Sequence, residues 1–328
     1  MTSIAGRPAT AADVAAVAGV SRATVSHILG GRASSFSEST REKVIAAARQ
    51  LDYRPSPAGR NLVTGRGDTI VALAPNSTIG QNQQDALDRL TADAGSLSGN
   101  VVLRFTDEDP DATVSSLLRL RPLAVVDLGA LPQEARDRLA QQGVPTVPRI
   151  DQDSQTAHLD LDIAEMQVSE LQRRGRRPIV YAGLLDQRPD PFSDRRFVMF
   201  QDISRALGLS EPIRVDIPVD PDGAFHALAP MLPDSPVGVA AYNDTVALAV
   251  ASVARRLTLA IPDDVAIIGV DNTPAMQLVS PRITSIDVNM DAYIDQAVAE
   301  LVGYLKLDIL LPPRSRQRPL ELIRGDSS

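Results

Sequence analysis

The sequence predicts a small all-α helix-turn-helix head followed by a larger α/β body built on parallel sheets. Three observations carry that prediction. Residues up to about 55 hold short helical patterns with a Gly between the first two. From Thr69 onward, short apolar runs alternate with helical stretches, the pattern of parallel strands covered on both faces. The charge divides along the same line, with nine Arg and Lys against four Asp and Glu in residues 1–66 and 24 against 37 in the remainder. A length of 328 residues fits two or three domains. We divide it into a head at 1–55, a hinge at 56–66 and a body at 67–328.

The net charge of −8 would disfavour nucleic acid if it were evenly spread. A basic head can instead release counterions at a phosphate backbone while an acidic body is repelled from the same DNA. No apolar run is long enough to span a membrane. The start, MTSIAGRPATAADV, lacks the charged and apolar regions of a secretory signal, so a cytoplasmic protein is expected. With no cysteine, disulfides and thiol chemistry are excluded. No Gly-rich phosphate loop or dinucleotide fingerprint is present. The histidines, His27, His158 and His226, lie far apart in sequence, so neither a cofactor nor a metal is expected. An enzyme is thus a weak rival reading. A free solute-binding protein is another, but it would need a secretory signal and would have no use for the basic head.

In the head, Thr10 and Asp13 have the spacing of a capping box for a helix over Ala11–Ala18, with Val14, Ala15 and Ala18 on one face. Gly19 sits where a left-handed residue ends that helix. Val20 can plug the core, and Ser21 can cap a second helix reaching Leu29. Two short helices joined by a Gly-containing turn are the helix-turn-helix signature. A third helix after Ser37 places Val44, Ile45, Ala48 and Leu51 inward. In the second helix Val25, Ile28 and Leu29 face the core, leaving Ser21, Arg22, Ala23, Ser26 and His27 toward solvent. Such a helix presents its N-terminal residues to base edges, where Arg binds guanine with two parallel hydrogen bonds. His27, one turn on, can reach a base or a phosphate.

In the body, strands are expected at Ile70–Ala74, Val101–Phe105, Leu123–Leu128, Pro145–Ile150, Ile179–Gly183, Val237–Ala241, Val265–Val270 and Ile283–Asp287. Helices are expected at 82–94, 111–120, 132–142, 163–174, 195–207, 244–257 and 290–306. This number of strands suits two doubly wound lobes better than one barrel, although periodicity by itself does not choose between them.

The stretches ATAADVAAVAGVSRATVSHILGGR and SESTREKVIAAARQLDYRPSPAGRNL resemble the head of the lactose-repressor and galactose-repressor (LacI) family. The body resembles it too, at Leu171–Ile179, at Ala240–Ala247, at Ile261–Pro274 and at Leu320–Ser327. The resemblance implies a two-lobed, periplasmic-binding-protein-like body crossed three times by the chain. The first lobe would hold 67–158 and a late segment near 288–320. It implies base reading by Arg22, Ala23 and His27, and phosphate contacts from Thr10, Ser21, Thr24, Ser26 and Tyr53. It also implies a hinge that meets the minor groove through Arg60 and Leu62, the leucine wedging between bases. Gly59 stands where the family often has Ala, which costs a helix about 0.8–1 kcal/mol.

Ligands of such bodies lie outside the carboxyl ends of the strands. Asn76, Arg196, Asn243 and Asp271 match the family's effector positions, and their donors and acceptors suit a sugar, a sugar phosphate or a nucleobase. Met199 and Thr258 replace glycines common in the family, and 148–165 aligns poorly, leaving Asp151, Asp160 and Asp162 unassigned. Phe192, Phe197 and Tyr242 are the nearest candidates to stack on a ring. The expected partners are double-stranded operator DNA, a small effector (or none) and a second copy of the chain. One helix-turn-helix buries too little surface for high specificity, and a homodimer on a pseudo-palindrome supplies the rest. The sign of the response, and repression against activation, stay open.

Overall fold

The computed structural model describes residues 9–29, 35–53, 68–76, 81–97, 99–149, 158–175, 178–186, 188, 190, 192–232, 236–307 and 319–328. It divides into a head, up to Asp68, and a body that begins at Thr69.

The head contains α1 (Ala11–Ala18), α2 (Arg22–Leu29) and α3 (Glu38–Gln50). Local chemistry sets each boundary. Asp13 accepts from the Thr10 backbone N–H at 2.8 Å while Thr10 Oγ1 accepts from the Asp13 N–H, so both arms of the capping box are made. Gly19 adopts φ +67°, the left-handed conformation that costs a Cβ-free residue nothing. Ser21 Oγ accepts from the Thr24 N–H at 3.0 Å, and Ser37 caps α3 in the same way. Val14, Ala15, Val25, Ile28, Val44, Ala47 and Ala48 form the core. Ile45, expected inside, is 40% exposed. The stripe of α3 runs Val44, Ala47, Ala48, Leu51, and Ile45 lies one helical step off it.

The body contains two parallel sheets. The first is formed by β1 (Thr69–Ala74), β2 (Asn100–Phe105), β3 (Ala124–Asp127) and β4 (Thr146–Val147), in the order β2-β1-β3-β4. Thr69 pairs with Asn100 on one side and Ile70 with Ala124 on the other. The connecting helices are α4 (Gln81–Ala94), α5 (Pro110–Leu120) and α6 (Gln133–Gln141). The strand expected at Pro145–Ile150 shrinks to two residues. Pro145 and Pro148 bracket it, and neither has an N–H to continue the ladder.

The second sheet runs β10-β9-β8-β7-β5-β6. Its strands are β5 (Ile179–Leu185), β6 (Ile213–Pro218), β7 (Val237–Ala241), β8 (Val265–Val270), β9 (Thr284–Val288) and β10 (Leu320–Ile323). All pairs are parallel except β9 with β10. Every residue of β7 and β8 is buried, as strands covered on both faces must be. The helices are α7 (Leu159–Arg173), α8 (Ser193–Ala206), α9 (Pro221–Leu228), α10 (Asp244–Arg256) and α11 (Pro274–Leu278), with α12 (Asp291–Leu305) following β9. Strand β6 went unrecognised because Arg214 and Asp216 break its apolar run, although the alternation I-R-V-D-I is a half-buried strand's. Helix α9 announces itself by Asp220 at the cap and Pro221 in the first turn.

Helix α12 packs on the first lobe. Arg89 of α4 bonds Asp291 at 3.1 Å and pairs with Asp295, and the Tyr293 hydroxyl donates to the Asp127 carbonyl. The chain therefore passes to the second lobe after 149, returns after β9, and crosses again to form β10. Two parallel sheets with opposed carboxyl ends leave a crevice between the lobes of the body.

Candidate functional site

In the head, Ser21, Arg22, Ala23 and Ser26 are exposed along one face of α2, while Val25 and Ile28 anchor the opposite face. His27 is half-buried, its ring 6.2 Å from that of Phe36. Thr10 and Ser21 carry their hydroxyls at the starts of α1 and α2, already engaged with Asp13 and Thr24. Thr24 and Tyr53 are half-buried, and Tyr53 packs against the head core. Arg60 and Leu62 lie outside the described residues.

In the body, a cavity of about 450 Å³ lies between the lobes, within the size range of small-molecule sites. Arg196, Asn243 and Asp271 all line it. Asn76 does not; it lines a separate cavity of about 180 Å³ beside Thr106, whose hydroxyl accepts from its N–H at 3.1 Å. Asn243 has two duties, because its Oδ1 caps α10 by accepting from the Val246 N–H at 3.0 Å. Of the aromatic candidates, Phe192 and Tyr242 line the cavity, whereas Phe197 packs on Tyr181 inside the second lobe.

Arg196 organises the floor. Its Nε donates to Asp160 at 3.2 Å, a terminal nitrogen donates to the Tyr242 carbonyl at 2.9 Å, and the guanidinium lies 4.7 Å from the Tyr242 ring centre. Asp160 also accepts from Arg195 at 2.5 Å, so one carboxylate answers two cations. The Tyr242 hydroxyl donates to Asp190 at 2.5 Å. Burial, with Asp190 nearby, pushes that phenol up and keeps it a neutral donor. From the other lobe, Asn82 of α4 reaches across and donates to Asp271 at 2.7 Å. Burial pushes the Asp271 carboxyl up to about 7, with Arg196 opposing that rise and Asp244 adding to it. Asp244 itself lies behind the site, accepting from the Ser285 hydroxyl and the Thr273 N–H, and burial raises it to about 6.

Sequence reasoning missed Asn82 and Asp190 and left Asp160 unassigned. Helix α7 begins at Leu159, four residues before its expected start, and this puts Asp160 in its first turn facing the arginines. Acidic residues in a first helical turn were the signal available. Among the described residues no helix is long and apolar enough to cross a membrane, and no His/Asp/Glu cluster could hold a metal ion.

An exposed recognition helix in a three-helix head, joined to a body with an interlobe cavity that holds a cluster of charged side chains, defines a DNA-binding regulator with a ligand-sensing domain. Residues 10–56 match the lacI family of bacterial regulatory proteins, and 168–328 match the periplasmic binding protein-like domain. The chain thus carries a lacI-family head and a periplasmic-binding-protein-like body. It is similar to the ribose operon repressor of Escherichia coli (strain K12), 27% identical over 336 positions covering 97% of this chain and all of the relative. It is also similar to the HTH-type transcriptional repressor PurR of Vibrio cholerae serotype O1 (strain M66-2), 28% identical with 85% of this chain and 86% of that one covered. In fold it matches the lac repressor dimer bound to operator and the anti-inducer ONPF, at TM-score 0.75 and 19% identity, over 98% of this chain and 99% of that one.

Proposed function

We propose that this chain is a homodimeric transcriptional repressor that reads a pseudo-palindromic operator and answers to an uncharged, hydroxyl-rich ligand such as a sugar. Arg22 and Ala23 meet base edges in the major groove, with His27 at the next turn. Thr10, Ser21, Thr24, Ser26 and Tyr53 hold phosphates, and Arg60 and Leu62 enter the minor groove. The names of the relatives, an operon repressor and a transcriptional repressor, support the repressor reading.

The observation that carries the ligand class is the state of the arginines. Arg195 and Arg196 are both already paired with Asp160, and Asp190 and Asp271 add two further carboxyls to the same cavity, three against two. Phosphate or carboxylate ligands would meet like charge there, whereas sugar hydroxyls find acceptors in the aspartates and donors in Asn82, Asn243 and Arg196. Tyr242 and Phe192 offer apolar faces to the ring.

The test is a fluorescence-anisotropy titration against genomic fragments selected for binding, with salt varied and sugars, their phosphates and nucleosides added. Tight, salt-steep binding to one dyad, shifted by a neutral sugar, supports the whole reading. A shift by phosphorylated compounds alone would overturn the ligand class, and loss of specific binding on Arg22→Ala without loss of the fold is expected from the head. A Leu62→Ala protein that bends and binds operator as the parent does would remove the hinge from the account.

A further inference from the structure

The two cavities of the body share a wall. Asp190 lines both of them. In the loop after β3, Gly129 lines the large cavity and the next residue, Ala130, lines the small one. Gly129, at φ +85°, lies so close to the Phe192 ring that an added Cβ would stand 2.8 Å from it. The wall is therefore one carboxyl and one ring seated on a glycine, and a side chain at 129 would displace the ring.

The cavities differ in the state of their polar groups. In the large one the charged side chains bond one another or a neighbouring amide: Arg195 and Arg196 hold Asp160, and Asp271 accepts from Asn82. In the small one, among the described residues, the Asn76 side-chain amide and the Glu108 carboxylate have neither a hydrogen-bond nor an ion-pair partner. Thr106 accepts from the Asn76 N–H at 3.1 Å and keeps its hydroxyl proton to give. An amide, a hydroxyl and a carboxylate thus converge on a space of about 180 Å³, the share of about six waters in the liquid and room for a single sugar ring. Arg104 is already paired with Asp107, so an anion would find no cation waiting there.

We infer that the crevice takes a disaccharide, one ring in the large cavity and the second in the small one, where Asn76, Thr106 and Glu108 bond its hydroxyls. This rests on the reading of the crevice as a sugar sensor and adds a second subsite to it. Asp190 is the junction. Its oxygens accept from the Phe192 N–H at 2.8 Å and from the Tyr242 hydroxyl at 2.5 Å, and each keeps a further acceptor site. It can therefore accept a hydroxyl from either ring. Phe192 gives the linkage its path, because a turn of the phenyl ring off Gly129 opens the wall without breaking a hydrogen bond of that side chain. A monosaccharide in the large cavity leaves Asn76 and Glu108 unused. A second ring turns them into bonds at small further cost in lost freedom, since it arrives tethered to the first.

Isothermal titration calorimetry on the full chain tests this without operator, with neutral disaccharides and the monosaccharides that compose them as probes. The best disaccharide should bind about tenfold tighter, or more, than either of its components. Glu108→Ala, at an exposed position, and Asn76→Ala should each lower the disaccharide-to-monosaccharide affinity ratio about five- to tenfold. Thermal melts as cooperative as the parent's show that the variants are folded. A monosaccharide that binds as tightly as every disaccharide containing it overturns the second subsite and leaves the sugar reading standing. So does a ratio that neither substitution moves. Binding of no sugar of either kind sinks the sugar reading itself, and the inference with it.

Discussion

The shared carboxylate at the cavity floor makes the sharpest prediction about stability. Asp160 answers both Arg195 and Arg196, but the two pairs sit in different surroundings. The Arg196 side chain is 12% exposed and that of Asp160 9%, whereas Arg195 is 62% exposed. Removing one partner of a fully buried ion pair costs about 3–5 kcal/mol, because the other charge is left unpaired out of water. Arg196 would keep the Tyr242 carbonyl and ring, and an asparagine at 160 would keep one acceptor oxygen. The expected cost of Asp160→Asn is therefore about 2 kcal/mol, the range of one charge-assisted hydrogen bond. Arg195→Ala loses a solvent-screened pair and should cost no more than about 1 kcal/mol. Urea unfolding followed by far-UV circular dichroism gives both values on the full chain. If Arg195→Ala proves as costly as Asp160→Asn, burial is not what gives the Arg196 pair its weight, and the reasoning fails.

Other consequences are as specific. Thr10→Ala removes the hydroxyl arm of the first capping box while its backbone N–H stays on Asp13, and should destabilise the head by about 1 kcal/mol, seen as a lower melting temperature for the helical signal. Arg22→Ala should weaken binding to a selected operator by about 1–3 kcal/mol and relax the preference at one base pair per half-site. Equal weakening on unrelated DNA would mean that Arg22 contacts only phosphate. For Asp244, the folded-state pKa of about 6 lies above the ordinary 3.8, so the folded protein holds that proton more tightly than the unfolded chain. Its contribution to stability is thus greatest at low pH and is lost as pH rises from about 4 to 6. Relative to Asp244→Asn, the parent should lose up to about 3 kcal/mol of unfolding free energy over that interval, and a gain would contradict the burial assignment.

How much of this was legible in the sequence follows the range of the interactions. The head was nearly all readable, because its boundaries are set by contacts three or four residues long: Thr10 with Asp13, Ser21 with Thr24, the turn at Gly19. The central strands Val237–Ala241 and Val265–Val270 coincide with their expected spans, since burial on both faces forces an unbroken apolar run. Edges were less visible. Strand β6 hides its period under Arg214 and Asp216, and two prolines cut β4 short.

The crevice belongs to tertiary structure. Arg196, Asn243 and Asp271 could be named from pattern, yet nothing local says that Asp160 neutralises the arginine, that Asn76 faces a neighbouring cavity, or that Asn82 spans the lobes to reach Asp271. The chain by itself determined the head, the alternation of strand and helix, and the separation of basic from acidic charge, because these depend on neighbours in sequence. Only folding decided the protonation and pairing of the buried carboxyls. Those depend on which distant side chains exclude water around them, and a linear pattern does not contain that.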